Sequence, residues 1–179
     1  MCDLKISSWN CSGLRAVTTS TAHKMGFYDK EFPDASFAVS VFVETHHRGE
    51  EDFPDLINEY KTTHILLHTP TPAEETHAGI IVLICREFEI LTHCVKIPGR
   101  FLNVRFKDKV SGKVFNLTAF YGPQFKRIRK KDLHLTFEHF SSCHSKTDNN
   151  IILGDFNFVD CDIDKGQGMD QQDKLIKQH

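Results

Sequence analysis

The stretch Ile151-Ile152-Leu153-Gly154-Asp155-Phe156-Asn157 constrains the fold of this chain more than any other. Three consecutive aliphatics read as a strand covered on both faces, because a strand with one wet face alternates apolar with polar residues. Glycine then frees the backbone, and a carboxylate and an amide follow two residues apart. The two-residue period of an extended chain sets Asp155 and Asn157 on the same side. A base or metal ligand therefore stands beside an orienting amide at the mouth of an apolar sheet. Gly, Asp and Asn are also ordinary turn residues, so the segment taken alone is equally a turn that closes a strand.

The rest of the chain supplies the sheet. Residues 4–10, 35–43, 64–68, 79–86, 88–96, 101–107 and 114–121 are rich in β-branched and aromatic side chains and read as strands. Breakers such as Pro70-Thr71-Pro72, Pro98-Gly99 and Ser111-Gly112 separate them. Helices are expected over 18–32, where Gly26 weakens the pattern, over 53–60, and over 125–144. The last carries Ile128, Leu133, Leu135, Phe137 and Phe140 at its apolar positions and leads into the strand at Asn150. No repeat or linker divides the chain, so residues 1–179 are expected to form a single domain. Many strands with few helices between them argue for a mixed α+β or layered architecture over a simple parallel one.

Composition narrows the class of partner. A hydrophobic content of 40% with 26% charged residues describes a soluble globular protein. Net charge is −2 and the pI is near 6.6, so there is no fold-wide basic field, and contacts to nucleic acid must come from local patches. No apolar run approaches the roughly 20 residues of a membrane span. The start, Met1-Cys2-Asp3-Leu4-Lys5, enters a strand pattern without a signal-peptide core. Six scattered cysteines form no Cys-x-x-Cys pair, which fits reduced thiols in an intracellular protein of the nucleus or cytoplasm. The sequon Asn116-Leu117-Thr118 is then incidental.

Four segments end strands in polar residues: Trp9-Asn10, Glu44-Thr45-His46, Tyr121-Gly122-Pro123 and Asp155-Phe156-Asn157. Gathered at one rim, they would offer oxygen ligands, Glu44 and Asp155, of the kind that suits Mg²⁺ or Mn²⁺. Asparagine amides hold a phosphate oxygen or a water, and a tyrosine hydroxyl donates to a phosphate. Phosphodiester hydrolysis needs such a set: a polarising cation, an aligned water and neutralised phosphoryl oxygens.

The motifs extend this reading. Ser8-Trp9-Asn10-Cys11-Ser12-Gly13-Leu14 resembles the opening motif of the endonuclease/exonuclease/phosphatase superfamily, and Phe42-Val43-Glu44-Thr45-His46 resembles its second. Ala78-Gly79-Ile80-Ile81-Val82-Leu83 resembles its glycine-led central strand. Phe120-Tyr121-Gly122-Pro123 and Gly154-Asp155-Phe156-Asn157 resemble two further motifs, in the same order. Within the superfamily the sequence is most similar to the apurinic-type endonuclease domain of LINE-type (non-LTR) retrotransposons, which Asp160-Cys161-Asp162-Ile163-Asp164-Lys165-Gly166 also resembles.

The resemblance implies an α+β fold, the four-layered α/β sandwich of DNase-like proteins. It implies a Mg²⁺- or Mn²⁺-dependent hydrolase that nicks DNA, with no small-molecule organic cofactor. Glu44 would be the principal metal ligand and Asn10 would support metal and phosphate. Tyr121 would contact the scissile phosphate, and Asp155 would orient or deprotonate the attacking water with help from Asn157. The superfamily pattern also holds a later carboxylate and a Ser-Asp-His motif well beyond this strand, and the residues after Asn157 spell no Ser-Asp-His. The expectation is thus a domain truncated at its C-terminus, with part of the second sheet missing and apolar strand faces over 78–84 and 114–120 left bare. Two alternatives follow: a non-catalytic remnant that at most binds nucleic acid, and a phosphatase of the same superfamily.

Plainer readings stand beside these. Glu44 also fits a solvated strand end, and Asn10 and Tyr121 fit turn caps or packing residues. His46, His47 and His77 read as surface histidines, since Glu44-Thr45-His46-His47 lacks a helical i, i+4 pair. The cations Lys126, Arg127, Arg129, Lys130 and Lys131 suit either a phosphate contact or the solvated first turns of a helix. Cations at a helix N-terminus oppose its dipole, which favours a partner or a pre-helical loop. Trp9 and the phenylalanines are expected in the core.

Overall fold

Alternating apolar residues build two four-stranded sheets in the computed structural model, which describes residues 4–13, 37–52, 54–122 and 130–157. The first sheet has the order β1-β2-β4-β3, from β1 (Ile6–Asn10), β2 (Val39–Val43), β3 (His64–Thr69) and β4 (Ile80–Cys85). The second has the order β5-β6-β7-β8, from β5 (Phe88–Ile97), β6 (Phe101–Asp108), β7 (Val114–Tyr121) and β8 (Asn149–Asp155). Two pairs are parallel, β1 with β2 and β7 with β8; the remaining pairs are antiparallel. Helix α1 (Pro54–Tyr60) opens on a proline, whose missing N–H costs nothing in a first helical turn. Helix α2 (Lys130–Cys143) connects β7 to β8.

The period of two sorts each strand into faces. Val39, Val41 and Val43 of β2 and Ile80, Val82 and Ile84 of β4 pack against Leu102, Val104, Phe106, Leu117, Ala119 and Tyr121 of the second sheet. All are at most 1% exposed, and this is the main core. On the outer face of the first sheet, Phe42, Ile81 and Leu83 meet Ile57 and Tyr60 of α1, together with Trp9. On the outer face of the second, Phe101 and Phe120 meet Phe140 of α2 with ring centroids 5.0 and 5.2 Å apart. Helix, sheet, sheet, helix: these are the four layers of an α/β sandwich.

A polar ladder lies between the last turn of α2 and the second sheet. The Asn103 amide donates to Asn116 Oδ1 and Thr118 Oγ1, each at 3.0 Å. Asn116 donates in turn to Asn150 Oδ1 at 2.8 Å and to the Cys143 carbonyl. Asn116 is thus a buried sheet residue, which accounts for it without glycosylation. Cys11, Cys85, Cys94 and Cys143 carry free thiols.

Two expectations need correction. Ala78, Ile80, Val82, Leu117 and Ala119 are fully buried, so the faces expected to be bare are covered, because the two sheets cover each other. The less buried strands are instead β1, β3, β5 and β8, which form the edges of their sheets among the described residues. Phe137, expected on the apolar face of its helix, is 61% exposed; Phe140 makes the contact. The expected helix over 18–32 and the stretch after Asn157 lie outside the described residues. Among those residues no helix is long and apolar enough to cross a membrane.

Candidate active site

Parallel pairing decides where the polar strand ends meet. Asn10 is in register with Val43, so the C-terminal ends of β1 and β2 lie together and Glu44 follows at once. Tyr121 is in register with Asp155, so the ends of β7 and β8 also coincide. Face-to-face packing of the sheets then brings the two pairs of ends to a common rim.

There the five expected residues form a connected set. The Asn10 amide donates to Asp155 Oδ2 at 2.8 Å, and the Asn157 N–H donates to Asp155 Oδ1 at 2.9 Å. The Asn157 side-chain amide donates to the Gly122 carbonyl at 2.7 Å. The Tyr121 hydroxyl lies beside the Glu44 carboxylate and the Asn157 amide. Burial first, and then the adjacent negative charge of Glu44, hold that phenol well above its ordinary pKa of 10.0, since both penalise the phenolate. Hydrogen bonds thus join Asn10, Asp155, Asn157 and the Gly122 carbonyl, and Tyr121 and Glu44 adjoin that set. Glu44 is no solvated strand end, being only 7% exposed.

The histidines follow expectation only in part: His77 is exposed and His46 half-buried, but His47 is not at the surface. His47 is fully buried between Thr45 Oγ1, 2.6 Å from its Nδ1, and His68 Nδ1, 3.2 Å from its Nε2. His46 and His77 turn toward Glu44: His46 Nε2 lies 3.4 Å and His77 Nδ1 3.8 Å from Glu44 Oε1. The two ring nitrogens are 3.3 Å apart.

Arg100 braces this end of the molecule, and nothing in the sequence around it announces that role. It pairs with Glu75, donates to the carbonyls of His77 and Gly122, each at 3.1 Å, and lies over the Tyr121 ring at 5.2 Å. Its partners come from residues 75–77 and 121–122, so its importance is visible only in three dimensions. The cations Lys126, Arg127 and Arg129 lie outside the described residues; of Lys130 and Lys131, only the backbone, in the first turn of α2, is described.

Backbone strain marks the same rim. The non-glycine residues with left-handed φ among those described are Ser12 (46°), Glu44 (55°), His46 (57°) and Asn157 (51°). Side chains resist this region, and such residues concentrate where a surrounding structure forces them into functional positions. Gly13 packs against this turn: a Cβ there would stand 2.8 Å from His46 Nδ1, while the Gly13 N–H donates to the Glu44 carbonyl at 2.7 Å.

The rim offers a cation one nearly buried carboxylate, Glu44, with Asp155 in the same network and two imidazole nitrogens alongside. Mg²⁺ needs only one or two carboxylates, keeping waters in its other positions, so these residues fit a divalent cation.

Two mixed sheets packed face to face and covered by helices make up an α/β sandwich of the DNase-like fold. Among solved structures the chain is similar to D. rerio TDP2 complexed with a single-strand DNA product, with a TM-score of 0.63 and 15% identity. That match covers 93% of this chain and 66% of the other. Similar too are C. elegans TDP2, at TM-score 0.61 and 14% identity over 88% of this chain and 50% of the other, and a Bacteroides thetaiotaomicron mannosyl-6-phosphatase, at 0.57 and 15% over 87% and 66%. At these identities the likeness is one of fold, and the chain spans from half to two thirds of the length of these three structures. No family model and no curated protein matches the sequence.

Proposed function

We propose that the chain is a divalent-cation-dependent phosphoester hydrolase acting on DNA, an endonuclease of the kind carried by non-LTR retrotransposons. The observation that carries this reading is the hydrogen-bonded set of Asn10, Asp155 and Asn157 at the rim where Glu44 and Tyr121 also lie. The fold supports it, being shared with a protein captured with a DNA product.

In this reading Asp155 is the base. Two N–H donors, one on each carboxylate oxygen, fix its plane and leave a lone pair on each oxygen for a water proton. Asn157 and Asn10 are its positioning residues. The Asn10 oxygen already accepts from the Ser12 N–H at 3.0 Å, which leaves a single lone pair for a cation. Tyr121 is closed to solvent, so we assign it to holding Glu44 and Asn157 and not to direct contact with phosphate. Glu44, with support from Asn10, would hold Mg²⁺ or Mn²⁺, which supplies polarisation of the phosphoryl oxygen.

Plasmid nicking in the presence of Mg²⁺ or Mn²⁺ tests the proposal. Asp155→Ala and Glu44→Ala should each lower the rate by about a hundredfold or more, the scale of a lost general base or charge stabiliser. Release of phosphate from mannose 6-phosphate with no nicking would point to the phosphatase alternative. Inactivity on both substrates would leave the non-catalytic remnant.

A further inference from the structure

We propose that Glu44, His46 and His77 form a transition-metal site that takes Zn²⁺ in preference to Mg²⁺. The inference deepens the reading above, because Glu44 belongs to both, but its geometry stands independently of catalysis.

Glu44 Oε1, His46 Nε2 and His77 Nδ1 mark a triangle with sides of 3.3, 3.4 and 3.8 Å. A tetrahedral cation with bonds of about 2.0–2.1 Å has ligand atoms about 3.3–3.4 Å apart. The triangle is therefore close to one face of such a tetrahedron. A small relaxation of His77, the most exposed of the three with 47% of its side chain open, would close the longest side. Two imidazoles and a carboxylate make a donor set suited to zinc. Mg²⁺ instead favours oxygen ligands in near-octahedral array and gains little from imidazole nitrogen.

The local backbone holds this arrangement. Glu44 and His46, two residues apart in the loop, both adopt left-handed φ, and His46 Nε2 faces the Glu44 carboxylate. The His46 N–H donates to the Ala78 carbonyl at 2.8 Å, tying the loop to the residue after His77. Arg100 fixes the His77 carbonyl. Gly13 lies against the Nδ1 side of His46, leaving Nε2 to face Glu44. The neighbouring pair His47 and His68 differs: Glu50 faces the far nitrogen of His68, so the three do not converge.

The test is metal binding by the full chain, with no substrate present. Metal-free protein is titrated with Zn²⁺ in competition with a chromogenic zinc indicator, and with Co²⁺ while following visible d–d absorption. The expected result is one Zn²⁺ per chain, a tetrahedral Co²⁺ spectrum, and an affinity at least about a hundredfold above that for Mg²⁺. His46→Ala and His77→Ala should each weaken Zn²⁺ by about tenfold or more, whereas His68→Ala leaves it unchanged. Thermal melts of each variant verify that it is folded. Absence of stoichiometric Zn²⁺ binding, equal affinity for Mg²⁺, or loss of binding on His68→Ala with none on His77→Ala would overturn the proposal. Zinc binding without DNA nicking would remove the endonuclease reading and leave the metal site standing.

Discussion

Burial has converted His47 from a side chain that titrates near neutrality into one that stays uncharged. Desolvation is the main cause of a pKa lowered to about 4, and the nearby His68 adds repulsion that Asp52 only partly offsets. A base with a depressed folded-state pKa lends stability that is complete above its unfolded value and lost as the pH falls through the folded one. Between pH 6.5 and 4 the unfolded chain therefore binds this proton first, and the folded state loses on the order of 3 kcal/mol. Urea melts across this window, with a chelator present, should show that decline, and His47→Gln should flatten it. A slope unaltered by the substitution would place the acid sensitivity elsewhere. His47 was not legible in sequence, because nothing in Glu44-Thr45-His46-His47-Arg48 says that the loop at Thr71 folds back on it. Asn10, Glu44, Tyr121, Asp155 and Asn157 were legible as a group, since each sits where an apolar run ends. The approach of His77 to His46 and Glu44 brings together residues 31 or more apart in sequence beside left-handed backbone at Glu44 and His46, for which the sequence carries no signal.

At the scale of elements, apolar runs between Gly and Pro punctuation located all eight strands of the described residues, with ends that shift by a few residues. The pairing order was not legible: that β4 lies between β2 and β3 follows from how the sheets bury each other, a non-local property. Gly154 illustrates what the run of apolar residues does contain. It interrupts β8 with a φ of 141°, and a Cβ there would stand 1.7 Å from the Phe120 carbonyl oxygen in the neighbouring strand. No backbone oxygen yields by so much, so β8 would have to move away from β7 and carry Asp155 with it. Gly154→Ala is expected to cost about 3 kcal/mol or more in a denaturant melt, combining overlap with strained φ. An alanine variant with near-native stability would mean that β8 approaches β7 less closely than described. Arg100 binds elements in the same way, joining the segments before β4 and after β7 through one planar fork.

For the molecule as a whole, a net charge of −2 makes affinity for DNA a local matter. Any binding should be weak and strongly salt-dependent, resting on a few phosphate contacts. Lys126, Arg127, Arg129, Lys130 and Lys131 are the concentrated cations, and replacing one that touches a phosphate should reduce the slope of log affinity against log salt by about one. Reversal of all five charges with no change in slope, measured by fluorescence anisotropy on a labelled duplex, would exclude this stretch as the contact surface.

The candidate site is divided between two hydrogen-bonded ladders. Asn10 and Glu44 belong to the first sheet, Tyr121, Asp155 and Asn157 to the second, and side-chain packing holds the halves in alignment. A slight slide of one sheet over the other would part Glu44 from Tyr121 while every strand stayed paired. The chemistry is thus a vernier for the core. It should fail by misalignment before the fold fails by melting, and residues as remote as Val104 or Leu117 should set its working temperature without touching a substrate.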